Sequence, residues 1–299
     1  MTAADIASAH DLAELRSQKT LPQKAADLIR KQPLGAFGGA IVLLMMVMAV
    51  FAPFLTAYDP VDNSFPDMLL APNADHWMGT DQFGRDVLTR IIFGARTALM
   101  VGLVSAFLGA TIGLMLGVAS GYFGGTFDLL FNRIVDVFMS FPTLIMALAI
   151  VSVLGSELHH VILAITTAIV PRSARIVRSN ALQISEFPYI DAARALGFRA
   201  SRIILRHMLP NVMAPYLIIF TGAIGRAILA EAALSYLGLG VQEPTATWGL
   251  MLQGGAEDFA ESAPWMAFFP GFAIALAVFG FFMLGDAMRD AFDPRLRRQ

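Results

Sequence analysis

The chain has 299 residues, is 57% hydrophobic before its 25 glycines are counted, and is only 15% charged. A soluble domain is about 45–50% apolar and about 25% charged, so the composition excludes a disordered tail, a nucleic-acid module and most soluble enzymes, and assigns the chain to a bilayer. The formal net charge of −2 looks uninformative until the charges are sorted by segment. With no cysteine, neither a disulfide framework nor a thiolate metal site can be built.

Residues 1–33 are polar and mixed in charge, too long and too acidic for a signal-peptide n-region. They read as a retained cytoplasmic segment, with an interfacial elbow helix over Ala25–Lys31. Residues 34–299 read as the transmembrane domain. Apolar runs at Leu34–Tyr58, Thr97–Gly121, Asp136–Gly155, Leu158–Val177, Ala214–Leu237 and Pro264–Gly285 predict six spans, since a span takes about 20 apolar residues. The fourth is the weakest, with a clean core of only Val161–Val170 before Pro171 and Arg172. It spans if Arg172 and Arg175 snorkel to the headgroups.

Ahead of span two, Asp81, Arg85, Asp86 and Arg90 are spaced over two helical turns within Gly79–Arg96, which reads as an amphipathic entry into the membrane. Span two itself carries Gly109, Gly113, Gly117 and Gly121 at every fourth position, with a second small-residue series at Gly94, Ala98, Gly102, Ala106 and Ala110. Such stripes let backbones approach where lipid supplies no hydrophobic driving force, so this helix is expected inside a bundle. Whether its partner lies in this chain or another is open. Glu157, His159 and His160, between spans three and four, read as ordinary loop residues, because adjacent histidines point apart on a helix and no third ligand is fixed by spacing.

Arg226 lies about 12 residues into span five, roughly 18 Å deep at 1.5 Å per residue. An arginine there faces a cavity or a buried acid, which leaves two readings: a pore-lining residue or a structural ion pair. Gly222, one turn earlier, leaves room beside it. Glu231 is five residues on and does not share its face; it is a second pore candidate, with a structural or gating role as the competing reading.

Six spans place 17 of the 21 lysines and arginines on one side, which the positive-inside rule makes the cytoplasm. Both termini then face inward. The opposite loops hold eleven acidic residues and only Arg85 and Arg90, an imbalance read mainly as topology bias and solubility.

Between spans four and five, the stretch from Arg172 to Asn211 is too polar to span and too patterned for a linker. Within residues 186–210, Pro188 suits a helix start and Gly197 a helix stop; a second short helix is expected to run to about Leu209, where Pro210 interrupts it. This segment resembles the cytoplasmic coupling motif of ABC importer permeases, Glu-Ala-Ala, three residues, Gly, nine residues, Ile, one residue, Leu-Pro. Here it is Asp191-Ala192-Ala193, then Gly197, then His207-Met208-Leu209-Pro210, with Asp replacing Glu and His replacing Ile. Gly79-Thr-Asp-Gln-Phe-Gly-Arg-Asp-Val87, Gly121-Tyr-Phe-Gly-Gly125, Ala230-Glu-Ala-Ala-Leu-Ser-Tyr-Leu-Gly-Leu-Gly240 and Gly285-Asp-Ala-Met-Arg-Asp-Ala-Phe-Asp-Pro294 are similar to the C-type permease of the dipeptide/oligopeptide/nickel branch, in order and spacing from about residue 20 to the end.

The resemblance implies an all-α polytopic bundle of six transmembrane helices with the type I ABC importer permease fold. It implies a second homologous permease, two cytoplasmic ATPases that bind the ATP and magnesium, and an external solute-binding protein, all in lipid and without nucleic acid. By motif position, Asp191, Ala192, Ala193, Gly197, Leu209 and Pro210 would couple the chain to an ATPase. The chain itself is expected to hold no cofactor or metal. Independently, a phosphate-binding loop needs a lysine after glycine, and Lys19, Lys24 and Lys31 do not supply one. Rival readings are a stand-alone secondary transporter, which usually shows internal repeats, and an intramembrane enzyme, for which no His-Glu-x-x-His or Ser–His pair occurs. Peptides head the candidate solutes, with nickel chelates, opines and similar nutrients open.

Overall fold

The computed structural model describes residues 32–292. The expected elbow helix over Ala25–Lys31, the N-terminal lysines and arginines, and Arg295, Arg297 and Arg298 lie outside the described residues. Ten α-helices occur among those described: α1 Pro33–Leu55, α2 Val87–Phe123, α3 Gly125–Ser140, α4 Thr143–Leu154, α5 Leu158–Ser185, α6 Pro188–Ala195, α7 Ala200–Ile203, α8 Leu209–Tyr236, α9 Trp248–Glu257 and α10 Trp265–Phe292. Five stretches are long and apolar enough to cross a membrane, namely α1, α2, α5, residues 200–236 and α10; a sixth crossing exists if α3 and α4 count as one broken span.

That broken span shows that the third predicted crossing is not one straight helix. The apolar run at Asp136–Gly155 hides a bend of 87° between α3 and α4. Phe141, which precedes Pro142, is extended at φ −88°, ψ 135°, as the proline ring requires of its neighbour. The 12 residues of α4 reach only about 18 Å, short of the roughly 30 Å hydrocarbon core.

The predicted weak span, by contrast, is an unbroken 28-residue helix that passes through Pro171. Arg172, Arg175 and Arg178 therefore sit on α5, not in a loop. A proline is tolerated inside a membrane helix where neighbouring helices pack around the freed backbone, and Pro171 is buried. Pro210 does not end its helix either. Its ring would press on the Arg206 carbonyl of a regular helix; a π-turn over Ile204–Met208 widens the backbone instead, and the Asn211 side chain donates to the His207 carbonyl at 2.6 Å. Residues 200–236 consequently run on as one membrane-crossing stretch.

The 37 residues of α2 extend about 55 Å, far beyond the bilayer core. Both of its small-residue stripes are used within this chain. On one face a Cβ at Gly109 would lie 2.7 Å from the Ile169 side chain, at Gly113 2.5 Å from Ser173, at Gly117 2.6 Å from the Ala174 carbonyl, and at Gly121 2.7 Å from Ala181. The partner of that stripe is α5. On the other face Gly94 lies against the Trp248 ring and Gly102 against Ile228, bringing in α9 and α8. At the periphery α1 pairs with α10 through Gly35 and Gly38, where added methyl groups would meet Ala287 and the Gly280 carbonyl.

Two apolar clusters result. One centres on α2, α5 and α8 with Ala95, Val101, Ile165, Ile228 and Trp248. The other gathers the far ends of the same three helices around α6 and α7, with Val118, Val177, Ile190, Ile203 and Val212.

Candidate functional site

The segment at 186–210 is a small helical unit pressed onto the ends of α2, α5 and α8. Pro188 opens α6 at its first turn. The helix ends in a paired return: the Phe198 N–H donates to the Ala193 carbonyl at 3.1 Å and the Gly197 N–H to the Arg194 carbonyl at 2.9 Å. That pattern needs a left-handed residue, and Gly197 has φ +74°.

One face of α6 is buried, through Ile190 and Ala193. The other face presents Asp191, Ala192 and Arg194 to the exterior, and Leu196 beside it is 73% exposed. Arg194 bonds Asp191 at 3.2 Å and lies over the Tyr122 ring. Leu209 is half-buried and Pro210 exposed. The Asn211 side chain also reaches the Tyr189 hydroxyl at 3.3 Å, tying α8 to α6.

In mid-molecule, the α3–α4 bend opens a cavity of about 150 Å³ lined by Phe138, Phe141 and Met146, by Arg172 and Ser173 of α5, and by Arg226 of α8. A methyl group on Gly222 would meet the Arg226 guanidinium at 3.4 Å, so the glycine does leave that guanidinium its space. Glu231 is elsewhere: it is 2% exposed and accepts a hydrogen bond from Ser235 at 2.8 Å. The two pore candidates are thus not brought together.

The end of α2 opposite the 186–210 unit carries an ionic cap that the spacing did not predict. Residues 80–86 are not an amphipathic helix; α2 starts only at Val87. Asp86 caps it, accepting from the Thr89 N–H at 2.7 Å and lying 3.0 Å from His76. Arg85 bonds Asp81 at 2.7 Å and Glu243 at 2.8 Å. Arg90, 1% exposed, bonds the same Glu243 at 3.0 Å and the Pro60 carbonyl at 2.9 Å. Asp81, Asp86 and Glu243 are therefore spent on internal pairs and do not serve as a solvating acidic face. Two indoles lock the arrangement, with Trp248 donating to the Ile91 carbonyl and Trp265 to the Thr80 carbonyl.

Glu157, His159 and His160 differ from the sequence expectation in geometry. The histidine rings lie 4.0 Å apart, His159 is 3.3 Å from Glu157, and their ligand atoms fall within 4.8 Å of one another. The trio sits at an exposed helix start, and that geometry alone assigns it no metal.

Comparison with known proteins adds the context. The family described as "Binding-protein-dependent transport system inner membrane component" matches residues 109–298, and the "N-terminal TM domain of oligopeptide transport permease C" matches residues 22–72. A dipeptide transport system permease protein of Alkalihalophilus pseudofirmus is 42% identical over 92% of this chain and 90% of its own. A glutathione transport system permease protein of Escherichia coli is 40% identical over 90% of this chain and 88% of its own. Among solved structures, the inward-facing MetNI methionine ABC transporter superposes with a TM-score of 0.56 at 21% identity, over 68% of this chain and 96% of that one, which shows a shared fold.

Proposed function

We propose that this chain, which belongs to the family of inner membrane components of binding-protein-dependent transport systems, forms one half of a solute pathway for peptides or similar small nutrients. It is a multi-pass permease subunit of an ATP-driven importer and not the ATPase. The finer assignments are ours. A second homologous permease completes the pathway, one of two cytoplasmic ATPases docks on the 186–210 unit, and an external binding protein docks on the outer loops and releases its solute into the pathway. Both termini lie in the cytoplasm, as the distribution of lysine and arginine favours.

The observation that carries the coupling role is the build of α6. Its apolar side is sunk into the ends of three long helices while Asp191, Ala192 and Leu196 stay uncovered. A helix gripped on one face and bare on the other transmits a push from a docked partner into α2, α5 and α8 without slack. Gly197 ends it, and Leu209 and Pro210 continue the chain into α8. The pore role of Arg226 is supported by its position on the cavity beside the α3–α4 bend.

Co-expression tests the reading. With a second permease and two ATPases, the chain is expected to co-purify and, in vesicles supplied with a binding protein, to drive ATP-dependent peptide uptake. Solute movement by the isolated chain without ATP would instead establish a stand-alone transporter.

A further inference from the structure

Among the described arginines, some are held by acids, and others, such as Arg133, Arg199, Arg202, Arg206 and Arg289 at the exposed surface, are not. Arg85 and Arg90 bond Glu243, Arg175 bonds Asp136, Arg178 bonds Asp128 at 2.5 Å, and Arg194 bonds Asp191. Arg172 and Arg226 have neither an ion pair nor a hydrogen bond among the described residues. Yet both line one cavity, from different helices 54 positions apart in sequence. The acids within reach in sequence are already engaged: Asp136 and Asp128 by their own arginines, and Glu231 by Ser235, away from the cavity lining.

Two unpaired cations on one cavity, Arg226 half-buried and Arg172 exposed on this chain, repel one another, and along a membrane pathway they keep their place where an anion or water answers them. The cavity, at about 150 Å³, has room for a carboxylate, and it is not closed off from the exterior, so the remainder of a solute can extend from it. Its other walls are Phe138, Met139, Phe141 and Met146, which suit the organic body behind such a group. A planar guanidinium fork grips a carboxylate through two parallel bonds, and two forks from different helices fix its direction.

We infer that Arg172 and Arg226 together form a binding site for the carboxylate of the transported solute, in the wall of the pathway at the α3–α4 bend. This rests on the importer reading above and adds to it a ligand chemistry and a second residue. Arg226 and Arg172 hold the carboxylate oxygens, the aromatic and methionine walls take the apolar remainder, and Ser173 offers a neutral hydroxyl beside them. No bond is made or broken; the site selects and orients.

The absence of cysteine from the chain permits a direct test in the assembled transporter. Thr143, an exposed residue on the cavity wall, is replaced by cysteine, and modification by an anionic and a cationic thiosulfonate is followed on this chain by intact mass. A cleft lined by one sign of charge concentrates counter-ions at least about tenfold, so the anionic reagent is expected to react about tenfold faster. Arg172→Gln with Arg226→Gln should abolish that preference, and Arg172→Lys with Arg226→Lys should retain it. A free dipeptide should slow the anionic reaction, while the same dipeptide with an amidated C-terminus should not. Ala230→Cys, on the same wall, serves as a second reporter.

Equal rates for the two reagents would overturn the inference in favour of an acid from the second permease neutralising the pair. Equal protection by the amide would overturn it as well, and so would protection that follows the anionic lipid content of the vesicles, which would point to a headgroup. ATP-driven uptake by the same wild-type vesicles is read separately. Its failure removes the importer reading, whereas uptake without charge preference removes only the carboxylate site.

Discussion

The cap and the central cavity both gather arginines between helices, and they treat them in opposite ways. At the cap, Arg85 and Arg90 share Glu243, with Asp81 bonding Arg85 and the Pro60 carbonyl taking a further donor from Arg90. In the cavity, Arg172 and Arg226 line the same space and neither is paired with an acid among the described residues. A paired charge fixes architecture, because removing one member strands the other in a low-dielectric setting. An unpaired charge contributes little to the resting structure and much to whatever arrives. The cap holds shape, and the cavity is the place where the proposed pathway would receive a ligand.

The comparison breaks most severely at Arg90. Arg90→Ala takes away a side chain that is 1% exposed and leaves Glu243 without one of its two guanidinium partners. Deleting a side chain this large and this buried, together with its bonds to Glu243 and the Pro60 carbonyl, costs about 3–5 kcal/mol, so a large fall in the thermal midpoint of the purified complex is expected; an unchanged midpoint would deny the cap its structural role. Glu243→Gln is milder, because the amide oxygen still accepts from the buried guanidinium groups, Asp81 remains beside both, and water reaches the 45% exposed side chain at position 243. A loss of about 1 kcal/mol is expected, seen as a smaller midpoint shift that high salt diminishes. Arg226→Gln sharpens the contrast from the other side. With no partner to strand, it should move stability by no more than about 0.5 kcal/mol, and a midpoint fall as large as that of Arg90→Ala would show that Arg226 is a hidden structural residue.

What the sequence disclosed follows from how local each feature is. The glycine period of α2 is readable because four-residue spacing on one helix is a local pattern. That its partner is α5 is not, since Gly113 and Ser173 are 60 positions apart. The stop at Gly197 was legible for the same local reason: a left-handed helix end favours a glycine. The shape of individual spans was hidden where hydropathy averages over geometry. Phe141-Pro142 sits in a run apolar enough to read as one crossing, while Pro171 and Pro210 looked like breaks but are absorbed by packing and by a π-turn. The cap was invisible because Arg85 and Arg90 find Glu243 about 150 residues away, so its charges read as a solvating surface. Arg226 announced a cavity by its depth alone, but nothing in sequence announced Arg172 as its companion.

The length of α2 has a further consequence. This one helix begins at the Asp86 cap, crosses the whole apolar core, and ends among Leu114 and Val118, which pack with Ile190 of α6. It contains no proline over Val87–Phe123, and its glycine face is seated against α5 along its inner half. On the proposed coupling role, a tilt imposed where α6 is pushed is carried to the capped end by one helix, with a leverage set by some 55 Å of its length. The narrowing of one mouth of the proposed pathway and the widening of the other would then be tied through a single backbone and not through a relay of contacts.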